Sequence, residues 1–310
     1  MGAADETAFE SIVSAHRAEL RAYCYRLLGS LQDAEDALQE ALLGAWRGFA
    51  GFEGRSSARA WLYRIATHAC YRLMAERPPR VLPDERAPAA SGIDLEPMLE
   101  GPLWLEPFPL PADAQYEQRE SVELAFVAAL QLLPAPQRAA LVLRDVLGFS
   151  AVETAELLDA TVGATNSALQ RARSSVASRA PARTQQAERS DLGPEREREL
   201  VTRYVAAWAA QDTGALVALL TADVKFRMPP IPTWFDGREA TARFFAERVF
   251  ATPWRLEPLR AAGQLAFACY QGPDFRLGAL NVVSLRGGAI HELTGFLDPA
   301  LRRFFSLPER

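Results

Sequence analysis

The chain of 310 residues contains one lysine, three cysteines and three histidines, and each scarcity narrows what it can be. Cys24, Cys70 and Cys269 lie far apart and form neither a disulfide framework nor a zinc-ligand spacing, so no metal or cofactor is expected. No run of eighteen apolar residues escapes a charge, which argues against a transmembrane helix and a membrane role. The opening MGAADETAFE has acids where a secretory leader would have a basic stretch and an apolar one, so a cytoplasmic protein is expected. Lys225 is the single lysine; the other 33 basic residues are arginines, a bias that reads as GC-rich coding more than as physics. With 49% hydrophobic and 24% charged residues the composition is that of a soluble globular protein, long enough for two or three domains.

A net charge of −5 gives no general affinity for nucleic acid, but the charge is unevenly spread. Residues 1–42 carry three Arg against eight Asp and Glu; residues 43–80 carry seven Arg against two Glu; residues 160–187 carry four Arg and no acid. Such basic blocks are where phosphates would be neutralised.

Apolar spacing predicts helices over 5–28 and 31–49, broken by a Gly-Ser pair, and Ser57 is a plausible cap for an Arg- and aromatic-rich third helix over 58–76. From Pro78 to Pro111 nine prolines exclude regular helix or strand. That segment still holds an apolar patch, LWLEPF at 103–108, which a passive spacer does not need, so it is expected to lie on something. Residues 115–180 read as four helical pieces. The last two, 150–160 and 161–176, have Ser150 with Glu153 as a capping box and Thr161 as a second cap, which is a helix-turn-helix pattern. A polar stretch then leads to helices at 195–211 and 213–220 and a strand in DVKFRMP. The proline-rich run 229–237 reads as a loop, followed by a helix and four strand-like runs over 255–297, an α+β plan.

These residues carry a resemblance. DAEDALQEALLGAW (33–46) and ARAWLYRIATHACYRLM (58–74) are similar to the second and third helices of domain 2 in the group IV, or extracytoplasmic-function, sigma factors of bacterial RNA polymerase, and residues 133–176 are similar to their domain 4. The C-terminal part resembles the NTF2-like (SnoaL-like) domain fused to a minority of them. The fold implied is multidomain: two all-α sigma domains, 1–76 and 115–183, a proline-rich linker 77–114, a short linker 184–194, and an α+β cone over 195–310.

The partners implied are core polymerase, through its β′ and β subunits, and promoter DNA. Asp33, Glu35, Asp36, Gln39 and Glu40 are the candidates for the polymerase contact, with Leu38, Leu42 and Trp46 read first as core. Phe52, Arg55, Ser56, Arg59, Trp61, Arg64 and His68 are the candidates for the −10 element, Arg59, Arg64 and His68 ahead of Trp61 because an aromatic on an amphipathic helix is usually core. His68 stands where the family usually has Asn. Thr165, Asn166, Gln170, Arg171 and Arg173 would meet the −35 element, with Asn166 and Ala168 replacing residues that are often basic.

In the cone, Phe226, Met228, Trp234, Phe244 and Trp254 are candidates to line an apolar pocket for an unknown small ligand. His291 and Glu292, adjacent on a strand, would face opposite sides and form no catalytic dyad, so no enzyme is expected. GFLDPALRRFF and Trp234-Phe-Asp-Gly-Arg resemble segments by which fused domains of this type engage the sigma domains, so the C-terminal domain and linker are expected to contact them and to modulate activity in cis. The competing reading is a ligand-responsive DNA-binding regulator, or an NTF2-like enzyme, acting without core polymerase. The acidic second helix favours the sigma factor, because a stand-alone regulator has no use for a polymerase-docking surface.

Overall fold

The computed structural model describes residues 3–52, 57–99, 101, 103–110 and 121–309. It divides into two compact units, Met1–Arg80 with Ala125–Pro181 and Val81–Leu124 with Ala182–Arg310. No helix among the described residues is long and apolar enough to cross a membrane.

The first unit is helical: α1 (Ala3–Leu28), α2 (Leu31–Gly48), α3 (Ala58–Glu76), α4 (Leu124–Gln131), α5 (Ala135–Leu141) running into a π-helical turn (Val142–Val146), α6 (Ala151–Leu157) and α7 (Val162–Ala177). Helix α1 ends at Gly29, whose φ of +70° suits glycine, and the Ser30 side chain caps α2 by accepting from the Asp33 amide. On α2, Leu31, Ala34, Leu38, Ala41 and Ala45 recur every three or four residues and are buried. The small alanine face lets α1 and α3 approach closely. Leu42 and Trp46, also read as core, are half-buried at its margin, with Phe9 edge-on to Trp46 at 5.1 Å.

Between α1 and α3, Tyr23 meets Tyr63 edge-to-face and shares a 2.7 Å hydrogen bond with Thr67 Oγ1. Cys24 and Cys70, distant in sequence, meet here; burial first, then the neighbouring Cys24 thiol, pushes the Cys70 thiol well up, so it stays protonated. The helix-turn-helix forms as its caps predict: Ser150 and Glu153 bond reciprocally, and Thr161 accepts from Ala164 N at 3.1 Å. Each cap contributes about 1 kcal/mol.

The second unit is built on a six-stranded sheet in the order β2-β1-β6-β5-β4-β3. The strands are β1 (Leu220–Met228), β2 (Ile231–Asp236), β3 (Trp254–Ala261), β4 (Gln264–Gln271), β5 (Arg276–Arg286) and β6 (Ala289–Phe296). All neighbours are antiparallel except β1 and β6. The helices are α8 (Gln185–Leu192), α9 (Pro194–Ala209), α10 (Thr213–Val217), α11 (Arg238–Glu247) and α12 (Leu301–Phe304). Two expectations need correction. Residues 229–237 are not a loop, because 231–236 form β2; a proline is tolerated there since β2 is an edge strand and one side of it need not donate to a ladder. The polar stretch after α7 is likewise not featureless: Thr184 caps α8, and Glu123 accepts from the amides of Gln185 and Gln186.

The proline-rich segment is part of this unit. Ala90 N donates to Trp234 O (2.9 Å), Trp234 Nε1 to Ala87 O (2.8 Å), Glu96 N to Thr233 Oγ1 (2.9 Å) and Leu99 N to Pro230 O (3.0 Å), so the segment satisfies and covers the edge of β2. Its apolar patch is folded in: Trp104, Leu105 and Phe108 are buried, and Phe108 O accepts from Ala262 N at 2.7 Å.

Candidate functional site

Helix α2 separates its acids into two kinds. Asp33 is buried and ion-paired to Arg77 and to the buried Arg80, so its carboxylate is consumed inside the helical unit rather than offered to a partner. On the outer face, Gln39 and Glu40 are exposed and Asp36 is half-exposed, in line with Gln32 and with Leu43, which is 56% exposed. Asp36 accepts from Gln32 (2.7 Å), Glu40 from Arg72 (2.5 Å), and Glu35 pairs with Arg21.

Helix α3 carries the basic candidates. Arg55 and Ser56 lie outside the described residues. Phe52 and Trp61 are neighbours, with ring centroids 4.8 Å apart, and Phe49 stacks near Phe52 at 6.5 Å, which makes a half-exposed aromatic platform. Arg59 is engaged on every side: its Nη2 donates to Glu19 (2.7 Å) and to Leu147 O (3.1 Å), and its guanidinium lies 4.3 Å from the Phe149 ring centre. Burial opposes its charge, but the hydrogen bonds and charge of Glu19 outweigh burial and raise its pKa. Arg64 Nη2 and His68 Nε2 both reach Asp159, at 2.6 and 3.1 Å. Asp159 sits in the turn of the helix-turn-helix with φ +49°. The groups read as promoter contacts on α3 are thus facing a carboxylate and a carbonyl of the other helical segment.

On α7, Asn166, Gln170 and Arg171 are exposed along one stripe, with Gly163, Ser167 and Ser174 between them. Thr165 is not on that stripe; it is buried at 2% exposure, because its position one residue before Asn166 turns it toward α5. Arg173 is exposed and bidentate to Asp145 (2.8 and 2.6 Å).

In the sheet unit four of the five pocket candidates gather at one core: Phe226, Met228 and Phe244 belong to it and Trp254 packs against it, whereas Trp234 does not. In that core Phe235 stacks on Phe244 at 4.4 Å and Phe226 on Phe235 at 6.1 Å. Trp254 packs edge-on to Trp208 and donates to Val249 O. Trp234 pairs with Arg227 across β1 and β2, on the opposite face from Phe226, and bonds to the linker. His291 turns toward Asp223 and Arg286, whereas Glu292 turns toward Arg227, as strand alternation requires. Sequence reading missed the cluster that results: Asp84 of the linker against Lys225 and Arg227, with Glu292 behind. The one signal was two cations two residues apart on a strand, which places them on one face.

Comparison with known proteins gives three matching families: Sigma-70 region 2 over residues 12–77, Sigma-70 region 4 over 123–176 and the SnoaL-like domain over 201–293. The chain is 40% identical over 314 aligned positions to the ECF RNA polymerase sigma factor SigG of Mycobacterium tuberculosis, covering 97% of this chain and 84% of that one. It is 31% identical over 175 positions to SigM of the same species, covering 56% of this chain and 78% of that one. Among solved structures, the extracytoplasmic function sigma factor SigJ of Mycobacterium tuberculosis shares the fold, with a TM-score of 0.63 at 22% identity, over 97% of this chain and 99% of that one.

Proposed function

Because the chain belongs to the extracytoplasmic-function sigma factors of bacterial RNA polymerase, we propose that it engages core polymerase through the outer stripe of α2 and reads promoters through α3 and α7. What supports this reading most is that one chain carries an exposed Asp36–Gln39–Glu40–Leu43 stripe as well as a helix-turn-helix reader. A reader acting alone needs only the second. Asn166, Gln170 and Arg171 are the side chains available to base edges and phosphates of the −35 element, while Arg173 already has a carboxylate partner. Phe52 and Trp61 offer the stacking surface that an unpaired −10 base would use, beside Arg64 and His68.

The SnoaL-like domain acts in this reading as a regulatory body rather than an enzyme, since its one histidine sits at a surface ion cluster, paired with Asp223 and Arg286. Its hold on the linker is the route by which it would set the activity of the sigma domains. Co-purification with core polymerase tests the docking surface: wild type should be retained, and Asp36→Arg combined with Glu40→Arg should not. Equal retention of both would reject the α2 stripe as the contact.

A further inference from the structure

The C-terminal domain holds the linker through an arrangement that has the geometry of an anion receptor. Arg227 projects from β1 on the face opposite the aromatic core and is 3% exposed. Its Nε donates to Asp84 Oδ1 (2.6 Å) and its Nη2 to Asp84 Oδ2 (2.8 Å), a planar fork on a planar carboxylate. Lys225 Nζ, two residues before it and on the same face, closes on Asp84 Oδ2 at 3.0 Å. Glu292 accepts from Arg227 Nη2 at 3.2 Å. Arg227 Nη1 is buried and has no hydrogen-bond partner, so the guanidinium has donor capacity that Asp84 and Glu292 together leave unused.

Charge counting gives the consequence. With Asp84 in place, two cations face two carboxylates; without it, a buried Arg227 and Lys225 face Glu292 alone. Without Asp84 the buried Arg227 keeps Glu292 as its one counter-charge but loses two charge-assisted hydrogen bonds, and Lys225, 36% exposed, is left to solvent, so the place Asp84 fills stays favourable for another carboxylate. Asp84 lies in a single 3-10 turn, Pro83–Glu85, beside the buried Leu82 and Pro83, whereas Lys225 and Arg227 lie on a strand of the sheet, so a local opening of the turn would expose the receptor without disrupting the sheet.

We propose that Lys225 and Arg227 form a carboxylate-binding site of the C-terminal domain, filled in cis by Asp84, at which a carboxylate-bearing small molecule exchanges with the linker. Asp84 shows that a carboxylate fits the fork, and the tether gives it a high effective concentration that a free ligand has to overcome. The proposal stands on this domain alone; its readouts contain neither polymerase nor DNA, so its failure leaves the sigma-factor reading untouched.

The test uses full-length protein titrated with sodium acetate, with sodium phosphate and with sodium chloride at constant ionic strength, followed by tryptophan fluorescence, because Trp234 lies 5.7 Å from Lys225 Nζ. Asp84→Ala should bind acetate saturably and at least about tenfold more tightly than wild type. Adding Arg227→Met should abolish saturation. Responses to acetate and chloride that are indistinguishable, or saturation by phosphate alone, would overturn the assignment. Should Asp84→Ala not fold, wild type decides: acetate should speed hydrogen exchange at the Ala90 and Leu99 amides, which the linker donates to Trp234 and Pro230, and unchanged exchange would overturn the proposal.

Discussion

Single residues decide whether the reading surfaces are free. Asp159 holds both Arg64 and His68, so on the proposed role of α3 its carboxylate competes with a promoter phosphate for them. The pairs are solvent-exposed and therefore weak individually, at about 0.2–1 kcal/mol each. Asp159→Ala should accordingly tighten binding of a single-stranded −10 oligonucleotide by about two- to fivefold, measured by fluorescence anisotropy; unchanged or weaker binding would show that the contact does not compete with DNA. Asp33 is the opposite case, a carboxylate enclosed with Arg80 at 4% and 2% exposure. Asp33→Asn leaves that guanidinium without its counter-charge, and a loss of about 3–5 kcal/mol in urea unfolding of the helical unit is expected. Gly29 is constrained twice: its φ is +70°, and a Cβ there would lie 2.9 Å from Gln131 Cδ and 3.0 Å from Arg80 Cβ. Nearby, buried Arg138 donates to Leu27 O and to Gln131 O, so these side chains tie α1 to α4 and α5.

Elements show where sequence was informative. The starts of α3, α6 and α7 were legible because a cap is local: Ser57, Ser150 and Thr161 each accept from an amide three residues on. Faces were legible only on average. Periodicity put acids outward on α2 and polar residues outward on α7, but it could not separate Asp33 from Asp36 or Thr165 from Asn166, because the neighbouring helix decides which side is covered. Strand β2 was illegible, since Pro232 within it and Pro229 and Pro230 before it read as breakers unless the strand is known to be an edge. The linker's attachment was beyond local reading as well, for Asp84 and Arg227 are 143 residues apart.

The reading helix makes its own prediction. Arg171→Ala removes an exposed cation of α7 and should reduce transcription that depends on a −35 element while leaving polymerase binding intact; equal output from intact and scrambled −35 sequences would count against it. The linker contact predicts a pH dependence. Burial would raise the Asp84 and Glu292 carboxyls, but hydrogen bonds from Arg227 and Lys225 to Asp84, and the charge of Arg227 beside Glu292, outweigh it and hold both below the ordinary carboxylate range. Groups depressed by folding stabilise fully above their unfolded values, about 4, and lose that contribution as pH falls through the folded ones. Hydrogen exchange at Ala90 and Leu99, corrected for intrinsic rate, should therefore rise as pH drops below about 4.

At the scale of the whole molecule, the segment that joins the two sigma domains is folded as part of the C-terminal domain. Residues on both sides of the second sigma domain are anchored on that domain's elements: Leu124 N donates to Gln264 Oε1, and Glu123 binds the first amides of α8. The SnoaL-like domain is therefore tied to the chain at more than its covalent junction. A protein ending near residue 185 would lose the partners of Ala90, Leu99 and Phe108 as well as the domain itself, so its behaviour reports on linker and domain together.

The central claim is that this chain gives core polymerase its promoter choice. The most direct measurement is in vitro transcription from genomic fragments with core polymerase, with and without the full-length protein. Transcripts should require both core and this protein and start at a restricted set of promoters, and should be lost with Asp36→Arg and Glu40→Arg together. Sequence-selective DNA binding without core, and no transcripts when core is supplied, would contradict it.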